Sequence, residues 1–160
     1  MKPCPAATVV RDKSILITGC SSGIGHCVAH GLHRRGWRVF ATARHTADVA
    51  RLQDEGLESL VLDVRDSASI EAAVAAILQR NGGRLDALFN NAGYGQVGAV
   101  EDVSREALRE QFETNVFGAQ DLTHRIIPVM RQQGGGRILY NSSVLGLVAF
   151  PYRGAYVASK

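Results

Sequence analysis

ILITGCSSGIG, residues 15–25, passes from an apolar strand pattern directly into a helical one through a turn marked by Gly19, Gly23 and Gly25. Glycines at such a turn permit a sharp change of direction, let backbone approach a pyrophosphate and let the helix pack closely on the sheet. The free N–H groups at the helix start attract the anion. A plain strand-to-helix turn is the bland alternative, but a position directly after the first strand favours the phosphate cradle.

Five aliphatic or β-branched runs recur at 14–18, 38–43, 57–64, 84–89 and 136–141, with helical spacing between them. Ile24, Val28 and Leu32 share one face of the first helix. Ile70, Val74, Ile77 and Leu78 follow a capping Asp66, and Leu108, Phe112, Asn115 and Val116 define another helix entered by Ser104. Nearly continuous apolar strands alternating with helices predict an α/β fold: a parallel sheet covered on both faces, doubly wound in the Rossmann manner. That fold has six strands and only five runs are found, so the sheet reads as truncated after five strands. On this reading residues 1–13 are an N-terminal extension, and 14–160 form an incomplete dinucleotide-binding domain from the N-terminal portion of a longer protein.

Composition narrows the function classes. The 160 residues are 46% hydrophobic with a net charge of +3, enough to bury a core, and the basic residues are scattered among acidic ones, which argues against a nucleic-acid partner. Cys4, Cys20 and Cys27 lack metal or redox spacing and fit reduced thiols, no stretch approaches membrane-spanning length, and the expected location is the cytoplasm. His26, His30 and His33 stand at i, i+4 and i+7, a spacing that could ligate a metal. They form a stripe opposite Ile24, Val28 and Leu32, so a solvated helix face is the expectation and no metal is required. Cys20, inside the glycine turn, reads as a small filler without an activating base.

With three residues between its first two glycines, TGCSSGIG resembles the short-chain dehydrogenase/reductase family more than the ordinary G-x-G-x-x-G pattern. Asp63 after the third strand, NNAG at 90–93, Asn115, Ser143 and the Tyr156/Lys160 pair then follow in the family's order. ATAR and NNAGYG make the likeness nearest to the branch of steroid, retinoid and aldehyde reductases. The resemblance implies a nicotinamide cofactor bound through Gly19, Ser21, Ser22, Gly23, Ile24, Gly25, Arg44, Asp63, Val64, Asn91, Ala92, Gly93, Tyr156 and Lys160. Asp63 would accept from the adenine amino group while Val64 contacts the ring. NNAG could bind the cofactor, hold the central sheet through its amides, or both. Catalysis would fall to Asn115, Ser143, Tyr156 and Lys160, and family members pair through helices, so a homo-oligomer is expected of the full-length protein.

The residues give their own reasons for this chemistry. Hydride transfer to a carbonyl leaves an alkoxide that needs a proton, and a tyrosine beside an ammonium is a suitable donor because the positive charge favours phenolate. Four residues are about one helical turn, so a helix through GAYVASK would put Tyr156 and Lys160 on one face, roughly 6 Å apart along the axis. Ser142 and Ser143 follow the fifth strand; family spacing selects Ser143 to bond the substrate oxygen, with Ser142 as an alternate or a turn residue. Asn115 either makes a structural hydrogen bond or, by resemblance, holds a water in a relay toward Lys160.

The second strand ends in Arg44 where an acid would select NAD. A charge-assisted hydrogen bond contributes about 1.5–3 kcal/mol, so Arg44 would shift preference toward NADP(H) by roughly ten- to a hundredfold, tempered by Ser22, where many NADP-dependent relatives are basic. Leu145, Val148 and Phe150, with Tyr94 and Val97, would wall an apolar substrate, or be core or subunit contacts. The expected function is an NADP-dependent oxidoreductase interconverting carbonyl and alcohol on an apolar small molecule, with NAD the less favoured cofactor and the 160-residue chain alone inactive. The alternative is a non-catalytic dinucleotide-sensing module on the same fold.

Overall fold

The computed structural model describes residues 13–160; Cys4 and, Lys13 aside, the expected N-terminal extension lie outside the described residues. Five strands, β1 (Ser14–Ile17), β2 (Arg38–Ala43), β3 (Glu58–Val61), β4 (Ala87–Asn90) and β5 (Arg137–Tyr140), alternate with helices α1 (Gly23–Arg34), α2 (Thr46–Asp54), α3 (Ser67–Arg80), α4 (Arg105–Phe112) and α5 (Gly118–Gln132). A short α6 (Gly154–Ala158) ends the series. The sheet is wholly parallel in the order β3-β2-β1-β4-β5, the doubly wound arrangement expected. The apolar runs at 57–64 and 84–89 overshoot β3 and β4 because Leu57, Leu62, Val64 and Leu85 are core residues in the connections.

Strand alternation sorts the core into two layers. Ile15, Ile17, Val39, Ala41 and Ala43 face α1 and α2 with Ala29, Val49 and Leu52. Leu16, Phe40, Leu60 and Leu88 face α3 and α5 with Ile70, Val74, Ile77, Leu122 and Ile126. Full burial of each such large side chain contributes about 1.5–3 kcal/mol. β5, at the sheet's edge, is largely exposed, with Leu139 at 49% and Tyr140 at 51%.

The helix starts follow their caps. Asp66 accepts from the Ala68 N–H and Ser104 from the Ala107 N–H, each satisfying a donor that the first turn leaves free. Two expectations need correction. Ile24 does not share the buried face of α1: it is 58% exposed, and Val28, Leu32 and Ala29 make the packing. The helix read from 108 to 116 widens into a π turn at Glu113–Phe117, and this turn carries Asn115. Insertions of this kind concentrate at functional sites.

Candidate active site

Parallel strands bring their carboxyl ends to one edge of the sheet, and the glycine turn leaves β1 there. Gly19 and Gly23 adopt φ of +70° and +60°, a region costly for residues with a Cβ. A Cβ on Gly19 would stand 2.8 Å from Ala92 Cα. The turn is held from the neighbouring strand: Asn91 Nδ2 donates to the carbonyls of Thr18 (2.9 Å) and Gly19 (3.2 Å), while Thr18 Oγ1 accepts from the N–H groups of Asn91 and Ala92. Asn90 turns the other way and donates to Thr123 Oγ1 at 2.9 Å. The NNAG amides are therefore structural, while Asn91, Ala92 and Gly93 also border the cleft.

Cys20 is fully buried, and its thiol donates to the Ile17 carbonyl at 3.3 Å. Burial pushes this thiol up to about 12, against a weaker pull from the Thr42 backbone, so it stays protonated and unreactive at neutral pH. Iodoacetamide on the native protein should alkylate the exposed Cys27 and spare Cys20, as read by peptide mass mapping. Comparable native labelling of both would contradict the packing.

A cleft of about 640 Å³ opens in front of this turn. Ser21, Ser22 and Ile24 line it at the start of α1; the N-cap residue Ser22 makes no side-chain cap bond and no acid stands in the first turn, which leaves a site receptive to an anion. At the far side stand Arg44, Asp63 and Val64. Burial disfavours the Asp63 carboxylate, but the Arg65 backbone N–H and guanidinium, at 3.0 and 3.4 Å, together with the charges of Arg65 and Arg44, outweigh it and hold the carboxyl below its usual value.

A second cleft, of about 830 Å³, is bordered by Ser143, Tyr156 and Lys160, with Leu145, Val148 and Phe150 as its apolar wall. The two clefts share Ile24, Asn91, Gly93, Tyr94 and Asn141, so a single groove leads from Arg44 to Tyr156. Tyr94 belongs to the wall as expected, but Val97 does not line it.

Tyr156 lies in α6, and the N–H groups of Ser159 and Lys160 bond back to the carbonyls of Tyr156 and Val157. The Lys160 ammonium stands 5.8 Å from the Tyr156 ring centroid and donates to the Asn141 carbonyl at 2.7 Å. The two serines differ in what they have left to give. Ser142 spends its hydroxyl proton on the Lys160 carbonyl at 3.1 Å. Ser143 Oγ accepts from the Leu145 N–H, which leaves its own proton free for a ligand.

Asn115 fastens this corner together. Its Oδ1 accepts from the Tyr94 N–H at 3.1 Å, and its Nδ2 donates to the Tyr94 carbonyl and Ser159 Oγ, both at 2.9 Å. A Cβ on Gly93 would wedge between Asn115 Oδ1 (2.9 Å) and Lys160 Nζ (3.6 Å). Several working residues escaped the sequence reading. Asn141 ties Asn91 to Lys160 and was visible only as the last letter of a strand run. Gln111, fully buried, clamps Tyr94 and Gln96 through both ends of its amide; a glutamine in an amphipathic helix carries no outward sign of that. His45 and Asp48 line the first cleft beside Arg44.

The model of the short chain dehydrogenase family matches residues 13–160. The chain belongs to that family. It is 43% identical over 151 residues to the uncharacterized oxidoreductase YbbO of Escherichia coli strain K12, covering 94% of this chain and 56% of that protein. It is 39% identical over 152 residues to the 3-ketodihydrosphingosine reductase of Bacteroides thetaiotaomicron, covering 94% and 54%. A solved structure of an F189W actinorhodin polyketide ketoreductase with NADPH superposes with a TM-score of 0.85 at 34% identity, over 96% of this chain and 61% of that one. The chain thus spans about half the length of the curated relatives it matches. Short-chain dehydrogenases are oxidoreductases that bind a nicotinamide dinucleotide, and the glycine turn and the groove beyond it fit that group. Among the described residues no helix is long and apolar enough to cross a membrane.

Proposed function

We propose that the complete protein is an NADP(H)-dependent oxidoreductase that interconverts a carbonyl and a hydroxyl group on an apolar substrate. The reading is carried by the continuous groove that joins an anion-receptive helix start to a corner holding Ser143, Tyr156 and Lys160. When bound, the nicotinamide supplies or accepts the hydride. The chain's residues do the rest. Ser143 donates its free hydroxyl proton to the substrate oxygen and orients it. The Tyr156 phenol gives or takes the proton at that oxygen, and the Lys160 ammonium offsets the negative charge left on the phenol. Asn115 fixes the turn that carries Lys160 and keeps a lone pair on Oδ1 for a water on the route to bulk solvent.

Leu145, Val148 and Phe150 favour an apolar substrate, in keeping with the 3-ketodihydrosphingosine reductase among the relatives. The preference for NADP(H) rests on Arg44, which is exposed at the mouth of the first cleft and held by a hydrogen bond from Nε to His45. The nearby acid Asp48 is already engaged by Arg51 at 3.3 Å, which weakens its repulsion of a phosphate. In Arg44→Asp the ratio of NADPH to NADH affinity should fall roughly ten- to a hundredfold, measured by fluorescence titration of the complete protein. An unchanged ratio would reject the assignment. A carbonyl panel assayed with NADPH tests turnover itself: cofactor binding without hydride transfer to any member would leave a binding module on the same fold.

A further inference from the structure

His26 and His30 stand one turn apart on α1 and both reach across to Glu55, the C-cap residue of α2. Each Nε2 lies 2.7 Å from the same oxygen, Glu55 Oε2. The imidazole rings meet edge to face with centroids 4.6 Å apart, and the three donor atoms lie within 4.8 Å of one another. The other carboxylate oxygen, Oε1, accepts from Arg51 at 2.9 Å, which fixes the carboxylate plane and turns Oε2 toward the imidazoles. Side-chain exposures of 34%, 22% and 29% make this a half-sheltered seam, not the solvated face that a stripe of three histidines suggests. His33 takes no part; the third partner comes from the next helix, where no spacing rule on α1 could point to it.

Two imidazole nitrogens and one carboxylate oxygen form the donor set of Zn²⁺ and its divalent transition-metal neighbours, whereas Ca²⁺ and Mg²⁺ require oxygen-rich sites. Helical i, i+4 spacing puts both nitrogens on one side. Zinc bonds to nitrogen and oxygen of about 2.0–2.2 Å need the Glu55 oxygen to part slightly from each nitrogen, now at 2.7 Å, and the two nitrogens, within 4.8 Å of each other, to draw together by rotation about the histidine side-chain torsions. We propose that His26, His30 and Glu55 bind a Zn²⁺-class ion through Nε2, Nε2 and Oε2, with the remaining position open to water, and that the ion staples α1 to α2. The site lies behind the dinucleotide cradle and is tied to it: Arg51, which holds Glu55, also donates to the Ser21 carbonyl at 2.6 Å. Its role is structural, since no donor of the trio lines either cleft.

Calorimetric titration of Zn²⁺ into chelator-stripped protein tests the proposal, with His30→Gln and His33→Gln as paired variants whose metal-free melting curves establish that each is folded. The parent and His33→Gln should bind one equivalent with equal affinity and melt at higher temperature with the ion present. His30→Gln should bind at least about tenfold more weakly and lose the thermal shift. Glu55→Gln, which keeps the side-chain shape but removes the anionic ligand, should also weaken binding. A parent that takes up no Zn²⁺, or a His30→Gln variant that binds as tightly as His33→Gln, would overturn the site and leave the trio as a hydrogen-bonded clasp.

Discussion

Tyr156→Phe in the complete protein should lower turnover with NADPH and an apolar carbonyl by at least about 10²–10⁴-fold, or about 3–5 kcal/mol of barrier, while cofactor affinity and melting temperature stay near those of the parent. Both halves follow from where the hydroxyl stands. Among the described residues the Tyr156 hydroxyl bonds no protein group, whereas Tyr140, a tyrosine at work in the fold, bonds Thr123 Oγ1 at 2.6 Å. Removing the Tyr156 oxygen therefore leaves no buried partner stranded, the situation in which a lost hydrogen bond is most costly. The ring itself packs beside Gly95, whose added Cβ would meet Tyr156 Cδ2 at 3.4 Å, and phenylalanine preserves that contact. What disappears is the proton at the substrate oxygen. Stopped-flow reduction assays read the first half, cofactor fluorescence and calorimetry the second. A Phe variant with parental turnover would move the acid/base role elsewhere, and one that also melts early would make the phenol structural.

The sequence made the glycine turn and the alternation of strand and helix legible because each depends on local pattern: β1 runs into α1 over a few residues, and alternation along β1 and β2 assigns each side chain to a sheet face. It was silent where contacts span elements. A helix through GAYVASK places Lys160 one turn above Tyr156, but no spacing shows that Asn141, just past β5, offers its carbonyl to the Lys160 ammonium. The pairing of β4 with β5 that brings Asn141 beside Asn91 is a product of topology, not of spacing. The histidines of α1 failed as a guide for the same reason: their partner lies 25 and 29 residues away on α2. The choice between Ser142 and Ser143 rested on resemblance in the sequence, whereas the structure separates the two by which hydroxyl proton is already engaged.

Gly25→Ala should destabilise the fold by about 1–3 kcal/mol and weaken dinucleotide binding, although the residue is helical and alanine is the better helix former. The reason is close approach. A Cβ there would collide with the Gly19 carbonyl oxygen and stand 2.5 Å from Asn91 Nδ2 and 3.0 Å from the Gly19 carbonyl carbon. Backbone cannot swing aside, and Asn91 is pinned by its bonds to Thr18 and Gly19, so the start of α1 must lift off the turn that it serves. Gly31, two turns further along the same helix, has open space where its Cβ would point. Gly31→Ala should therefore stabilise by about 0.4–1 kcal/mol. Opposite shifts in melting temperature from the same chemical change in one helix would isolate packing against the glycine turn as the cause. Equal stabilisation of both variants would mean that α1 does not seat on the turn as described, and the anion cradle would lose its physical basis.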